Sequence, residues 1–345
     1  MSFLMDAWYM AAWHHEVVDV PFARRICGLP MVFFRSRDGT VAALEDRCCH
    51  RAAPLRFGTV VDQGLQCGYH GLVFDCTGRC VHVPGQERVP PKAMVRAYPL
   101  VEKDGILWVW PGDPARADSA KILDYPFHDD TKNWPHKTQH YHVKANYMLL
   151  VENLMDLTHL AYVHKSTIGG NPKAHVEAKM TVTPKDQGLH FIRWLPGSMP
   201  PPSYQKAAGL HGPIDRWMEF EYTAPGVVVQ WTGGLPVGRN AMENRNQSGG
   251  FSLRILHCLT PETESTSFYF WSAANGYRQD DPTATTDLFK EIDTAFSEDK
   301  GIVEAQQEIM QETGTSDLVN IASDSARMQM RRALQRMLDA QSSAP

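Results

Sequence analysis

The chain has 345 residues and a formal net charge of −5; 43% of its residues are hydrophobic and 21% are charged. This composition is typical of a globular protein, and it excludes a disordered chain, a collagen-like repeat and a coiled coil. The length predicts two domains, and a chain of this size can bury a full core without disulfide or metal support. The weak acidity and the lack of a lysine/arginine run do not favour nucleic acid or an anionic membrane as the main partner.

The amino-terminal segment lacks the features of a secretory signal. Residues 1–13 are apolar but include Asp6, with neither a basic lead-in nor a small-residue cleavage site. No stretch approaches the roughly 18 uncharged apolar residues that a membrane helix needs. We therefore expect a cytoplasmic protein without a membrane segment.

Short strands separated by turn residues fill the first third of the sequence. Residues 31–35 and 41–44 flank a polar turn at 36–39, which predicts a hairpin. Further strands are predicted at residues 64–68, 72–75, 80–83 and 106–110, with glycines between them. A Pro-Gly-Asp-Pro sequence at 111–114 ends the last strand, which predicts a domain boundary near residue 115. The predicted domains are residues 1–115 and 116–345.

The rest of the chain combines a helical segment, a series of strands and two long terminal helices. Residues 146–164 have helical periodicity with almost no helix-breaking residue. Strands are predicted at 179–183, 189–194, 216–222, 227–232, 251–259 and 267–274, and loops at 196–204 and 242–250. The terminal helices are predicted at 284–312 and 323–340. The sequence therefore predicts a small all-β domain followed by a larger α+β domain.

Five of the seven cysteines lie between residues 48 and 80, which indicates metal or redox chemistry before disulfides. Cys48 and His50 form one pair, and Cys67 and His70 form a second pair that is separated from the first by 16 residues. Each pair lies in a loop beside a predicted strand. A zinc site could use the same four ligands, although zinc fingers usually pair Cys with Cys and His with His. Mixed pairs favour a [2Fe–2S] cluster in which two cysteines bind one iron and two histidines bind the other.

A second group of candidate metal ligands lies on the helical segment. Asn153, Asp156 and His159 are spaced three residues apart and so share one face of a helix. His164 follows five residues after His159, so both can reach one metal ion only if the helix ends or widens between them. Two histidines and a carboxylate form the facial triad of non-haem Fe(II) oxygenases. The alternative is that both histidines are structural, with one of them at the helix end.

The carboxylate of such a triad has to come from another part of the chain. The predicted helix at 289–309 includes Asp299, which is our candidate. Glu298 and Asp293 are competitors that spacing alone does not exclude. Asp324 is expected to cap or begin the last helix, where an acidic residue is favourable.

Together these motifs resemble the catalytic subunits of Rieske non-haem iron oxygenases, in the group that contains vanillate O-demethylase, dicamba monooxygenase and toluenesulfonate methyl-monooxygenase. The likeness extends nearly from end to end. It includes residues 7–9, 45–55, 65–74, 83–86, 106–113, 150–164, 259–264 and 297–305. The resemblance implies an α+β chain with an amino-terminal all-β Rieske [2Fe–2S] domain. It further implies a catalytic domain of the helix-grip type, with an antiparallel sheet flanked by helices.

The resemblance assigns four ligands to the cluster: Cys48, His50, Cys67 and His70. Cys48 is preferred to Cys49 because the first loop of the family places its ligands two residues apart. High-potential Rieske proteins carry a disulfide between the two loops, which would fall at positions 53 and 69. These positions are alanine and tyrosine here, which favours an electron relay of the oxygenase kind.

The resemblance also implies one mononuclear Fe(II) in each subunit, with three ligands: His159, His164 and Asp299. The sequence around Asp299 matches the carboxylate ligand of the family, which supports it over Glu298. A head-to-tail homotrimer is implied, in which Asp156 accepts hydrogen bonds from His70 of one subunit and from the iron-binding His159 of the next. Asn153 is expected to tune the iron site without binding the metal.

The implied activity is that of the terminal oxygenase of a multicomponent system. Because the sequence has no flavin or nicotinamide fingerprint, electrons are expected from a separate ferredoxin or flavin reductase. The expected reaction uses O2 to hydroxylate a methyl or alkyl group of a substituted aromatic compound, giving dealkylation or methyl hydroxylation in aromatic catabolism. One alternative is a ring-dihydroxylating dioxygenase of the phthalate type. Another, from a different class, is an electron-transfer or zinc-binding protein.

Candidate substrate contacts follow from the same resemblance. His257 aligns with a family position that faces the substrate, and Gln230 and Trp231 lie near another. A histidine on a strand can equally be a core residue with satisfied hydrogen bonds. Arg216 and Arg254 lie on strands whose side-chain directions the sequence does not define, so neither is assigned to a sulfonate or carboxylate.

Overall fold

The computed structural model describes residues 3–315 and 318–343. The chain forms two compact units: the first ends at Tyr125 and includes Thr260–Glu264, and the second comprises Pro126–Leu259 and the chain from Ser265. The sequence places the boundary ten residues earlier, near 115. Two hydrogen bonds hold residues 116–125 in the first unit. Trp8 Nε1 donates to the Asp118 carbonyl, and Tyr125 N donates to Asp104 Oδ2, both at 2.9 Å.

The first unit is built from β-strands and short 3-10 turns. Its strands are β1 (Tyr9–Trp13), β2 (Phe22–Ile26), β3 (Leu29–Arg35), β4 (Val41–Glu45), β5 (Thr59–Val61), β6 (Gly64–Gln66), β7 (Val73–Phe74), β8 (Cys80–His82), β9 (Ala97–Tyr98), β10 (Leu100–Lys103) and β11 (Ile106–Val109). Within the described residues they form sheets with the orders β1-β11-β10, β2-β3-β4-β9 and β5-β6-β7-β8. The β3–β4 hairpin pairs Arg35 with Val41, as the turn sequence between them predicts. The predicted all-β first domain is therefore confirmed.

The core of this unit includes the two cysteines of the predicted cluster loops. Cys48 and Cys67 are both buried and belong to one cluster of packed apolar side chains with Phe34, Leu65 and Phe74. The strands therefore hold both loops in place through the buried side chains of Cys48 and Cys67. This packing sets the distance between the two loops without the help of a bound metal.

The second unit is one large sheet with helices. Its strands are β12 (His136–Val143), β13 (Lys179–Lys185), β14 (Gly188–Ser198), β15 (Ile214–Thr223), β16 (Val227–Pro236), β17 (Phe251–Pro261) and β18 (Ser267–Asn275). Its α-helices are α1 (Tyr147–Met155), α2 (Leu160–Val163), α3 (Pro172–Glu177), α4 (Pro202–Ala208), α5 (Pro282–Thr313) and α6 (Ser325–Ser342). The strand order is β12-β18-β17-β16-β15-β14-β13. The predicted antiparallel sheet flanked by helices is therefore confirmed. No helix within the described ranges is long and apolar enough to cross a membrane.

Strand alternation gives the sheet two distinct faces. Along β15, Arg216, Met218 and Phe220 project to one face, while Trp217 projects to the other and packs beside Trp231 of β16. Helix α5 covers the first face with a stripe of buried residues spaced three or four apart: Leu288, Ile292, Phe296 and Asp299. Asp299 is therefore an acidic residue on an otherwise apolar stripe.

Local hydrogen bonds define the helix starts that position the site. The Asn146 side chain accepts from Met148 N and caps α1, and Asp281 caps α5 ahead of Pro282 at its first position. The buried carboxylate of Glu152 on α1 pairs with Arg327 of α6, with Oε2 and Nε 3.1 Å apart. Helix α1 is therefore held at its start and along its length.

The structure corrects three predictions of secondary structure. The helix predicted at 146–164 is interrupted at Asp156, whose extended backbone (φ −122°, ψ 103°) ends α1 and whose carboxylate caps a 3-10 turn at Leu157–His159. Helix α4 lies partly in the predicted loop 196–204, because a proline at the first helical position is compatible with a helix. Strand β12 was not predicted because its sequence, HKTQHYHV, is polar and lacks apolar alternation.

Candidate metal centres

The first cysteine loop closes through two backbone hydrogen bonds. Cys48 N donates to the Ala53 carbonyl at 2.8 Å, and Ala52 N donates to the Cys48 carbonyl at 2.9 Å. This closure puts Ala52 in the left-handed region, with φ 55°. The loop thereby holds Cys48 inward and exposes His50, two residues on.

The second loop repeats these backbone hydrogen bonds at the same spacing, although its histidine follows the cysteine by three residues and not by two. Cys67 N donates to the Leu72 carbonyl at 2.8 Å, and Gly71 N donates to the Cys67 carbonyl at 3.0 Å. Gly71 has φ 74° and occupies the position equivalent to Ala52, four residues after the cysteine. The loop again buries its cysteine and exposes its histidine, His70. Two equivalent loops therefore present equivalent donor pairs.

The four predicted cluster ligands converge between these loops. The imidazole rings of His50 and His70 lie 4.6 Å apart between centroids, and the thiols of Cys48 and Cys67 interact with each other. Burial, followed by the neighbouring thiol, raises the pKa of Cys48 to about 11, so its thiolate requires a nearby cation such as iron. Cys49, the neighbour passed over by the prediction, is exposed. The donor set therefore fits a cluster with sulfur ligands inside and imidazole ligands at the surface.

Three predicted iron ligands come together in the second unit. His159, His164 and Asp299 each offer one ligand atom, and these atoms lie within 4.8 Å of one another. Asp299 Oδ1 is 3.4 Å from His159 Nε2 and 3.2 Å from His164 Nε2. Ligand atoms that lie ~2.1 Å from a metal are about 3.0–3.4 Å apart at octahedral to tetrahedral angles. The spacing therefore fits one metal ion with little movement.

The chain geometry around His164 explains how both histidines reach one point. Helix α2 ends at Val163, and His164 has a non-helical backbone (φ −103°, ψ 38°). This confirms the prediction that the helix ends or widens between His159 and His164. Asp156, by contrast, is no longer on a helix shared with His159, so the predicted polar stripe is not one helical face.

Hydrogen bonds to the outer ring nitrogens define the histidine tautomers. His159 Nδ1 donates to the main-chain carbonyl of Asp156 at 2.5 Å, and His164 Nδ1 donates to Glu298 Oε2 at 2.7 Å. Both rings therefore keep Nε2 free for a metal, the usual arrangement of metal-bound histidine. Glu298, a competitor of Asp299 in the sequence, lies outside the ligand group and orients His164. Asp293, the other competitor, accepts from the Tyr141 hydroxyl at 2.5 Å.

One buried ligand atom of this group has no hydrogen-bond partner. His164 Nε2 is buried and makes no hydrogen bond, although Asp299 Oδ1 lies 3.2 Å away. Asp299 Oδ1 accepts a hydrogen bond from Asn153 Nδ2 at 3.0 Å. Burial lowers the pKa of His159, which favours the neutral ring that a metal requires. The residues present therefore fit a metal ion.

The predicted bridging residue Asp156 makes a different contact from the one predicted. Its carboxylate Oδ1 accepts from Thr158 N at 2.9 Å and from the Thr158 hydroxyl at 2.7 Å. It is the main-chain oxygen, and not the carboxylate, that contacts His159 within the chain. The carboxylate is occupied in this way because Asp156 caps the turn that carries His159.

A largely apolar cavity opens onto the three candidate ligands. Strands β15, β16 and β17 and helix α5 form its walls. The apolar lining includes Met218, Phe220, Leu253, Ile255, Ile292 and Phe296. Polar side chains also line it: Asn153, Ser203, Arg216, Gln230, Thr232 and Glu291. Its lining suits a small, mostly apolar molecule.

The three predicted substrate contacts lie differently with respect to the cavity. Gln230 lines the cavity, but Trp231, its neighbour on β16, projects to the opposite face and donates to Ser252 Oγ. His257 is fully buried behind Gln230, with its Nε2 2.9 Å from Gln230 Oε1. Arg254 also lies on the opposite face, stacked over the Trp231 ring at 4.0 Å. Sequence analysis left Arg216 unassigned and missed Thr232, and strand parity with Gln230 is the signal that would have placed Thr232 in the cavity.

Comparisons with known proteins agree with these two centres. Residues 7–99 match the Rieske [2Fe-2S] domain, and residues 143–340 match the Vanillate O-demethylase oxygenase C-terminal domain. This combination defines the oxygenase subunits of Rieske-type monooxygenase systems, which are oxidoreductases. The chain belongs to this family.

Individual relatives are similar over the whole chain. A putative toluene-4-sulfonate monooxygenase system iron-sulfur subunit of Comamonas testosteroni is 38% identical over 340 residues, covering 97% of both chains. The crystal structure of dicamba monooxygenase bound to 3,6-dichlorosalicylic acid superposes with a TM-score of 0.92 at 32% identity, covering 100% of both chains. Dicamba monooxygenase with non-heme iron and dicamba superposes with a TM-score of 0.80 at 32% identity, covering 99% of both chains. The predicted fold and class are therefore confirmed.

Proposed function

We propose that this chain is the terminal oxygenase of a multicomponent Rieske monooxygenase system. Its expected reaction inserts one oxygen atom of O2 into a methyl or alkyl C–H bond of a substituted aromatic compound. The observation that carries the proposal is the presence in one chain of two separate donor sets. One is the Cys/His pair of loops, and the other is the His/His/Asp group that opens onto an apolar cavity.

The proposed cofactors are one Rieske [2Fe–2S] cluster and one mononuclear Fe(II) in each subunit. The cluster ligands are Cys48, His50, Cys67 and His70, and the iron ligands are His159, His164 and Asp299. The likeness to dicamba monooxygenase, which has been solved with non-heme iron, supports the mononuclear site. When bound, this iron would supply the activation of dioxygen.

The protein groups around the iron site orient its ligands and exclude water. Glu298 and the Asp156 carbonyl fix the rings of His164 and His159, and Asn153 donates to Asp299. The apolar walls of the cavity hold the substrate and limit access of solvent. When the hydroxylated carbon is attached to oxygen or nitrogen, the product collapses and releases an aldehyde. Dealkylation therefore needs no further protein group.

Electron delivery is proposed to cross between subunits of a head-to-tail homotrimer. His70 is exposed, so it is accessible to a neighbouring subunit. Asp156 would connect His70 of one subunit with His159 of the next, through its second carboxylate oxygen and its main-chain carbonyl respectively. The donor is proposed to be a separate ferredoxin or flavin reductase, and the cellular location to be the cytoplasm.

The proposal is tested by product analysis under labelled dioxygen. The purified chain, with a surrogate reductase, is supplied with aryl ethers, anilides and arylsulfonates that carry methyl groups. Incorporation of one labelled oxygen atom into an alkyl carbon supports the proposal. Two labelled atoms in a ring cis-diol would instead indicate the phthalate-type dioxygenase alternative. Electron consumption without any labelled product from these classes would contradict both.

A further inference from the structure

Arg216 is a buried cation on the wall of the cavity. Its residue surface is 2% exposed, and its side chain projects from β15 toward the cavity. Nη1 donates to the Gly169 carbonyl at 2.9 Å and Nη2 to the Ile168 carbonyl at 3.0 Å, while Nε has no partner. Within residues 3–315 and 318–343, no carboxylate forms an ion pair with this guanidinium. Backbone carbonyls satisfy only part of its donors and supply no formal negative charge.

The neighbours of Arg216 do not compensate this charge. His175 donates Nε2 to the same Gly169 carbonyl, and burial followed by the Arg216 charge lowers its pKa to about 4, so it is neutral at pH 7. Arg193 on the adjacent strand has the same sign, and Asp156 lies near enough to stabilise its charge. Arg193 therefore has an acidic residue nearby, whereas no ion pair to Arg216 occurs among the described residues. A buried charge without a counter-ion is strongly unfavourable. We therefore expect a ligand bound in the cavity to supply the counter-ion.

A directed chain of hydrogen bonds adds further donors to the same cavity. The Tyr269 hydroxyl lies 2.8 Å from His257 Nδ1. His257 Nε2 lies 2.9 Å from Gln230 Oε1, and Gln230 Nε2 donates to Thr232 Oγ1 at 2.8 Å. Because Gln230 Oε1 can only accept, His257 carries its proton on Nε2 and accepts from the Tyr269 hydroxyl. The Thr232 hydroxyl accepts from Gln230, so its own proton is left to donate.

Two hydroxyl groups complete this donor surface. Ser203 and Tyr204 line the cavity, and their hydroxyl groups are buried. Ser203 Oγ has no hydrogen-bond partner, and the Tyr204 hydroxyl lies next to Arg216. The Tyr204 ring lies 4.9 Å from the Arg216 guanidinium carbon. The polar part of the wall therefore combines one uncompensated cation with several hydroxyl donors. Such a surface matches a group with several acceptor oxygens and a negative charge.

We propose that Arg216 is a specificity-determining residue that binds an anionic oxyacid substituent, a sulfonate or a carboxylate, on the aromatic substrate. The proposal rests on the proposed function for the reaction that the bound molecule undergoes. Binding of the anion itself requires neither dioxygen nor a reductase. The remaining wall of the cavity is apolar and receives the ring and its alkyl group.

A purely structural role for Arg216 makes a different prediction. Its two hydrogen bonds hold the segment that follows His164, so its loss could disturb the site as a whole. Arg193 offers a matched control, because it is also buried, lies on the same face of the adjacent strand and donates to a backbone carbonyl, that of His175. Arg193 does not line the cavity.

The test measures ligand binding by calorimetry on the oxidised, metal-reconstituted protein. The probes are toluene-4-sulfonate and 4-methylbenzoate, each with its neutral amide, toluene-4-sulfonamide and 4-methylbenzamide. We expect at least one anion to bind about 30-fold more tightly than its amide. Arg216→Met should remove this difference, while its affinity for the amide stays within about threefold of the wild-type value. Arg216→Lys should keep part of the preference, and Arg193→Met all of it. The tighter anion identifies the substituent.

Several results would overturn the assignment. One is that the wild type binds anion and amide equally, or binds neither anion. Another is that Arg216→Met loses affinity for anion and amide equally. A third is that Arg193→Met loses the preference for the anion as Arg216→Met does. If Arg216→Met does not fold, equal binding of anion and amide to the wild type, or an unchanged preference in Arg216→Lys, would still contradict the assignment. Anion binding without oxygen incorporation would contradict only the proposed function. Turnover confined to neutral aromatics would contradict only the role of Arg216.

Discussion

Nδ1 of His164 donates a hydrogen bond to Glu298 Oε2 at 2.7 Å, which turns its Nε2 toward Asp299 Oδ1, 3.2 Å away. Adjacent residues of α5 therefore have different tasks at the proposed iron site. One orients a ligand and the other is a ligand. The distinction rests on the geometry and has consequences that can be measured separately.

Replacement of Glu298 should weaken the mononuclear iron site without removing it. The Glu298 side chain is 32% exposed, so Glu298→Ala should fold, but His164 loses the acceptor that fixes its ring. We expect iron affinity to fall roughly 10- to 100-fold. Competition with an iron chelator measures this change. Glu308→Ala, an exposed acid on the same helix, is the control, and an equal loss in that variant would contradict the orienting role.

Replacement of Asp299 should remove the mononuclear iron and turnover. Asp299→Ala leaves two neutral histidines, which are too few ligands to retain Fe(II). The visible spectrum of the cluster should be unchanged, because its ligands lie in the other compact unit. Iron analysis and spectroscopy test both statements. Asp293→Asn, which changes the other acid considered from the sequence, should keep its iron; retained iron and activity in Asp299→Ala would exclude Asp299 as the ligand.

Replacement of Asp156 by asparagine should slow electron delivery without loss of either metal. Asparagine can still accept from Thr158 N and cap the turn, and the main-chain carbonyl that contacts His159 is unaltered. The carboxylate charge proposed to face the neighbouring subunit is lost, together with its interaction with Arg193. Stopped-flow reoxidation of the reduced cluster with substrate and O2 gives the rate. An unchanged rate would refute the bridge, and Thr158→Val serves as a control for the cap.

The equivalent left-handed positions of the two cysteine loops predict opposite effects on stability. Ala52→Gly should stabilise the cluster domain by roughly 1 kcal/mol, because alanine is strained at φ 55°. Gly71→Ala should destabilise it, since φ is 74° and a Cβ would lie 3.0 Å from Pro84 Cγ. Gly85→Ala has φ 80° but no atom within 4 Å of the new Cβ, so it measures the backbone cost alone.

Thermal bleaching of the cluster absorbance provides the midpoint for all three variants. The expected order of midpoints is Ala52→Gly above wild type, then Gly85→Ala, then Gly71→Ala. A lower midpoint for Ala52→Gly would contradict the strain at this position. Equal midpoints for the two glycine variants would show that the Pro84 contact is unimportant.

Short motifs allowed both donor sets to be predicted from the sequence, because Cys/His pairs and the two helical histidines are local. The choice of Asp299 also has a local signal that was not used. It continues the buried stripe of Leu288, Ile292 and Phe296, whereas Glu298 does not. The choice of Asp299 depends only on the period of one helix and needs no knowledge of the elements packed against it.

The parts that could not be predicted depend on tertiary packing. Both faces of the large sheet carry bulky apolar residues, so strand alternation alone does not indicate whether Gln230 or Trp231 faces the cavity. The break at Asp156 lies inside a continuous helical pattern and depends on a side-chain cap. The unpaired charge of Arg216 became apparent only when its surroundings were defined.

The most direct test of the account is the metal and sulfide content of the chain after anaerobic reconstitution. A Rieske cluster together with one mononuclear site requires about three iron atoms and about two sulfides per chain. We expect that result for the wild type, with about one iron fewer in Asp299→Ala and the cluster spectrum unchanged. Zinc alone, or iron well below about three atoms per chain, would contradict it.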